Sequence, residues 1–128
     1  MKNTIDNYPR SHEPIAWSLF GAGGMVVAFI TPALILISTL LVPLNLTDSD
    51  LLSYSNVLSL LNTGWGALAI FIVIALQLFH AAHRIYHGLH DVHIEGNDTL
   101  MLLVFYGGAT ALSLLTGFLL FSLVMSPA

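Results

Sequence analysis

The chain has no cysteine, and only three of its 128 residues are Lys or Arg. Without thiols it has no disulfide frame, no set of iron–sulfur ligands and no thiolate nucleophile. Three basic residues provide no electrostatic footprint for nucleic acid. Neither a phosphate-cradling glycine loop nor a hydrolase nucleophile elbow is present. Charge of either sign is scarce, at 8% of residues, where a soluble domain carries about a quarter. The ten charges are also bunched. They leave 34 uncharged residues between Glu13 and Asp48, 33 between Asp50 and Arg84, and 30 after Asp98.

What fills those gaps is apolar: 56% of the chain is hydrophobic and the formal net charge is −4. Each uncharged run exceeds the ~20 residues an α-helix needs to cross the hydrocarbon core of a bilayer. The pattern predicts an all-α integral membrane protein, one domain over residues 1–128, with spans at about 15–41, 63–86 and 99–125. A polar arm, residues 1–13, precedes the first span. That span is too long for the apolar region of a cleaved signal peptide and is read as retained. Pro14 suits a first helical turn, and Pro32 is expected to kink the first span. Pro43, Asn45 and the Thr47–Asp50 cluster mark a turn. Residues 51–61 mix apolar and polar side chains, as an interfacial stretch would, and 88–98 form a polar connection. Lys2, Arg10 and Arg84 all fall on one side of this topology and none on the other. Basic residues mark the cytoplasmic side, so the N-terminus is expected inside and the C-terminus outside.

The end of the second span carries the chemistry. At 100° per residue, His80, His83, Arg84, His87, His90 and Asp91 share an arc of about 120° on one helical face. An arginine at mid-bilayer costs ~2.5–3.5 kcal/mol even on the lenient insertion scale. Such groups face protein or a water-filled cavity and are functional candidates. For His87, His90 and His93 the plainer reading is a polar helix end reaching into the headgroup layer. His83 and His87 have the i, i+4 spacing of a metal pair, but no glutamate completes a zincin motif. His80 or His83 also has the chemistry of a haem ligand, with a partner supplying the second. Trp17, at the start of the first span, is either an aromatic-belt residue or an indole N–H donor beside an apolar plane, as suits a quinone carbonyl. Gly21, Ala22, Gly23, Gly24 and Ala28 in the first span, and Gly107, Thr110, Ser113 and Gly117 in the third, form small-residue faces. Faces of that kind let helices approach closely in lipid.

The stretch Ser11-His-Glu-Pro-Ile-Ala-Trp17-Ser-Leu-Phe-Gly-Ala-Gly-Gly24 resembles the opening of the D-type membrane anchor of bacterial quinol:fumarate reductase. The similarity continues through Pro32, Leu41-Val-Pro-Leu-Asn-Leu46 and Leu52-Ser-Tyr54. It takes in His83-Arg84-Ile-Tyr-His87-Gly-Leu-His90-Asp91 and Val104-Phe-Tyr-Gly107, and so covers nearly the whole chain. The resemblance implies a non-catalytic anchor in the bacterial cytoplasmic (inner) membrane, packed against a second three-helix anchor of the C type. The two anchors would hold a flavoprotein and an iron–sulfur protein, which carry the FAD and the iron–sulfur clusters. Menaquinol would bind at the interface between subunits, and no haem is expected in the anchor. A family tryptophan and His-Arg pair at the quinone site correspond to Trp17, His83 and Arg84, with His80 nearby. At the outer start of the second span the family carries a Phe and a Gln-Ser pair. Leu60, Asn62 and Thr63 stand here, so a second contact through Asn62 and Thr63 would keep hydrogen-bonding groups but lose the ring.

Two other functions fit parts of the pattern. One is a haem b-binding anchor of a succinate dehydrogenase. The other is a small transporter component, which is disfavoured because no Asp, Glu or Lys lies deep in a span.

Overall fold

The computed structural model describes residues 13–93 and 96–126. Most of the polar arm, with Lys2 and Arg10, therefore lies outside the described residues, as does Glu95. The chain forms α1 (Glu13–Leu36), a π-helical turn (Ile37–Leu41), α2 (Tyr54–Leu61), α3 (Gly64–Asp91), α4 (Asp98–Leu102), a second π-helical turn (Leu103–Gly107) and α5 (Gly108–Met125). Three continuous helical stretches are long and apolar enough to cross a membrane: Pro14–Leu41, Gly64–Asp91 and Asp98–Met125, with mean hydropathies of 2.3, 2.0 and 1.9. At 1.5 Å per residue each is about 42 Å long, more than the ~30 Å hydrocarbon layer. The all-α, three-span expectation is met.

α3 is the centre of the bundle. α1 packs on it antiparallel, with Phe20 against His80, and α5 packs on it antiparallel, with Gly117 against Phe71. The interior is made of small residues: Ala67, Ala82, Ala109 and Ser113 are buried, together with His83. Large apolar side chains point outward instead, among them Phe29 at 72% exposure and Phe118 at 66%. That inversion of the soluble pattern is expected where the surroundings are lipid, because close packing of small residues replaces hydrophobic burial as the source of helix–helix cohesion. A Cβ on Gly23 would collide with the Leu76 carbonyl oxygen, and one on Gly24 would lie 3.2 Å from His80 Cε1. Gly21, two residues before Gly23, faces open space.

The helix passes Pro32 without a break; the first departure from α geometry is the wide turn at Ile37–Leu41. Within it Ser38 Oγ donates to the Leu34 carbonyl (2.7 Å) and Thr39 Oγ1 to the Ile35 carbonyl (2.5 Å). The chain then closes as a Schellman motif. Leu46 N–H donates to the Leu41 carbonyl (2.9 Å) and Asn45 N–H to the Val42 carbonyl (3.1 Å). Asn45 takes φ 55°, a left-handed conformation that asparagine tolerates better than most residues.

α3 extends to Asp91, further than the polarity of 88–98 implies. It ends where His93 adopts φ 57° and its N–H bonds the His90 carbonyl (3.0 Å). The interfacial stretch is the short helix α2, with Ser53 as its N-cap. Thr63 joins α2 to α3. Its hydroxyl donates to the Leu60 carbonyl (2.6 Å) and accepts from Gly66 N–H (3.1 Å), capping α3. Thr63→Ala should therefore lower stability by about 1 kcal/mol. Reversible unfolding in mixed micelles measures this, and an unchanged midpoint would show that the cap is dispensable.

Candidate functional site

The start of α1, the last turns of α3 and the turn before α5 converge on His83. Its ring is 4% exposed and surrounded by aromatic groups. Trp17 meets it edge-on at 5.0 Å between centroids, Phe20 lies at 4.6 Å, and His87 at 4.3 Å. Nδ1 of His83 lies 2.6 Å from the Tyr106 hydroxyl. Nε2 is buried and, among the described residues, has no hydrogen-bond partner. Buried polar atoms in native proteins almost always have a partner, and an orphan needs an explanation such as a missing ligand.

Beside this ring is a cavity of ≈ 300 Å³ lined by Trp17, Phe20, His83, Arg84, His87, Gly88 and Asp91. That volume sits at the low end of the range for small-molecule pockets. α1 and α3 supply these residues, and the approach of the two helices at Gly23 and Gly24 brings them together. The lining combines aromatic surface with a guanidinium, two imidazoles and one carboxylate. Arg84 forms no ion pair among the described residues; the single such pair is His90 Nε2 with Asp98 Oδ1 at 3.3 Å, on the surface. The cavity thus presents a positive group that is not ion-paired among the described residues, although Asp91 also lines it, as suits a ligand that carries or gains negative charge at an oxygen.

Trp17, His83 and Arg84, the three principal sequence candidates, share this one cavity. His80 is its neighbour. Its ring stacks on Phe20 (4.6 Å, 3° between planes), and Nδ1–H donates to the Phe20 carbonyl (2.9 Å), so it ties α3 to α1. His87 lines the cavity as well. His90 bonds the Tyr86 carbonyl (2.9 Å) and does not line the cavity. Asn62 and Thr63 lie at the opposite end of α3, about 30 Å away by helical rise. Thr63 is occupied in capping, and the Asn62 side-chain oxygen is buried without a partner among the described residues.

Sequence reasoning missed Phe20 and Tyr106. Phe20 is legible in hindsight as the residue one turn after Trp17. Tyr106 is not, because it reaches α3 from a π-helical turn. Such turns are common at functional sites, but hydrophobic periodicity does not reveal them.

Among the described residues no group of three or more His, Asp or Glu side chains is placed to hold a metal ion.

Fold and site together define a small multi-pass α-helical membrane protein with a polar, aromatic-walled cavity toward one end of its bundle. The family model for the fumarate reductase D subunit matches residues 7–121. The chain is 46% identical over 89 residues to the fumarate reductase D subunit of Vibrio vulnificus (strain YJ016), covering 69% of this chain and 71% of the relative. It is 43% identical over 109 residues to that of Vibrio cholerae serotype O1 (strain M66-2), covering 85% and 83%. With the same protein of Vibrio parahaemolyticus serotype O3:K6 (strain RIMD 2210633) it shares 40% identity over 113 residues, covering 87% and 90%. The chain belongs to the fumarate reductase D subunit family, the membrane anchors of an oxidoreductase complex that has other subunits.

Proposed function

We propose that this chain anchors a flavoprotein and an iron–sulfur protein to the cytoplasmic membrane, beside a second hydrophobic anchor, and forms one wall of the menaquinol-oxidation site. The observation that carries the reading is His83 Nε2, buried and unpartnered among the described residues, in a cavity also lined by Trp17 and Arg84. The N-terminus then lies in the cytoplasm and the C-terminus outside, consistent with the positions of Lys2, Arg10 and Arg84.

A quinol bound here supplies two electrons to the iron–sulfur partner and two protons to water. The contribution of this chain is binding and electrostatics. Trp17 donates its indole N–H to a headgroup oxygen. Arg84 keeps a positive charge where negative charge develops on oxygen, an interaction strengthened by a dry site. His83 fixes the headgroup through Nε2, while Phe20 and the Trp17 ring offer flat apolar faces to a planar ring. With no cysteine the chain has no thiolate ligand for an iron–sulfur cluster, so in this reading the electrons pass to the iron–sulfur partner. The second anchor supplies the principal acid–base group.

Trp17→Leu should lower quinol-driven fumarate reduction about tenfold, the worth of one well-made hydrogen bond, with fumarate reduction by a soluble dye largely intact. Unchanged quinol kinetics would remove Trp17 from the site. Extraction of the tagged chain in mild detergent should recover a flavoprotein, an iron–sulfur protein and a second small anchor, identified by mass spectrometry. Recovery of the chain alone, under conditions that keep other respiratory complexes whole, would contradict the anchor assignment.

A further inference from the structure

The contact between His83 and Tyr106 decides what the cavity can bind, on the assumption that the cavity is the quinol site proposed above. Two arrangements are compatible with 2.6 Å between Nδ1 and the hydroxyl. If Nδ1–H donated to the phenol oxygen, Nε2 would be a bare acceptor and the hydroxyl proton would need an acceptor of its own. Among the described residues the Tyr106 hydroxyl has no hydrogen-bond partner other than His83. If the hydroxyl donates, its proton is used and Nδ1 accepts it; an imidazole nitrogen is also a better acceptor than a phenol oxygen.

We propose that Tyr106 is a positioning residue: its hydroxyl donates to His83 Nδ1 and holds His83 in the tautomer that presents Nε2–H to the cavity. His80, three residues earlier on the same helix, shows the opposite arrangement. Its Nδ1 faces the Phe20 carbonyl, which only accepts, so the proton of His80 sits on Nδ1. The partner of the other nitrogen fixes which ring nitrogen carries the proton, and the two imidazoles are therefore set in opposite senses. The π-helical turn at Leu103–Gly107 carries Tyr106 and brings its hydroxyl to α3.

The consequence is chemical. His83 Nε2–H, the Trp17 indole N–H and the Arg84 guanidinium are all donors, so this wall recognises an acceptor oxygen. His83 then binds the headgroup and takes no proton from it. Among the described residues, the groups in the cavity that are able to accept a proton are His87 and Asp91.

The test uses the intact complex. With 15N-labelled histidine, the His83 signals are those lost in His83→Gln, and they should show an unprotonated Nδ1 and a protonated Nε2. The reverse protonation would overturn the proposal, whatever the behaviour of any Tyr106 variant. Kinetically, Tyr106→Phe should lower quinol kcat/KM, normalised to dye-driven fumarate reduction, by about 3- to 10-fold, chiefly through KM. In the His83→Gln background the same change should have no further effect, because a glutamine amide brings its own N–H and needs no tautomer. An equal loss in both backgrounds would mean that Tyr106 acts through packing alone, and would also overturn the proposal. A different failure is distinguishable: if His83→Gln and Trp17→Leu both leave quinol kinetics unchanged, the site assignment itself is wrong.

Discussion

Arg84→Leu is expected to reduce quinol-driven fumarate reduction about a hundredfold, the scale of losing one preorganised group that stabilises charge developing on oxygen. Fumarate reduction by a soluble dye should persist, because that route bypasses the anchor. The expectation rests on the position of Arg84 on the cavity wall and on its lack of an ion-pair partner among the described residues. A guanidinium held inside a spanning helix is costly, and no ion pair among those residues offsets that cost. Lysine should restore only part of the activity, since it provides a point charge without the planar fork. Equal loss of both activities would instead indicate that the complex has not assembled, and unchanged quinol turnover would take Arg84 out of the site.

Gly23→Val should be nearly as damaging by a different route. Even a Cβ at Gly23 meets the Leu76 carbonyl oxygen and lies 2.6 Å from His80 Cβ. The first obstacle is backbone, which no rotamer change relieves. Overpacking of this kind costs about 1–3 kcal/mol and would push α1 off α3, moving Trp17 and Phe20 away from His83. We expect a sharp fall in the yield of extracted complex, with quinol turnover lost in whatever assembles. Gly21→Val is the control: a Cβ there meets nothing within 4 Å, and yield should hold. Equal yields for the two variants would show that the α1–α3 approach at Gly23 does not support the site.

The glycines illustrate where sequence stops being informative. The cluster at residues 21–24 announces a packing face, but which glycine touches α3 depends on the rotation of α1 about its axis. Composition and the spacing of charges were enough for three apolar helices. Helical phase placed His83, Arg84 and Asp91 on one face, and alternation of spans placed Trp17 at the same end, so the principal residues of the cavity were legible. The end of α3 was less so, since polarity begins at Gly88 while the helix continues to Asp91 and stops on the left-handed His93. The role of Thr63 was equally hidden: a threonine before a glycine at a span start reads as a polar contact, yet its hydroxyl is spent on the Leu60 carbonyl and Gly66 N–H. Tyr106 depends on a π-helical turn, and a hydrophobic run carries no signal for an extra residue in one turn.

The quinol-site role proposed for this chain depends on quinol binding in the cavity at Trp17, His83 and Arg84. The most direct measurement is a cryo-electron-microscopy structure of the assembled complex with a menaquinone-analogue inhibitor. Headgroup density is expected at this cavity, with an oxygen in hydrogen-bonding range of His83 Nε2 and the Trp17 indole nitrogen. A fully occupied inhibitor bound elsewhere, with His83 Nε2 paired to a residue of another protein in the complex, would contradict it.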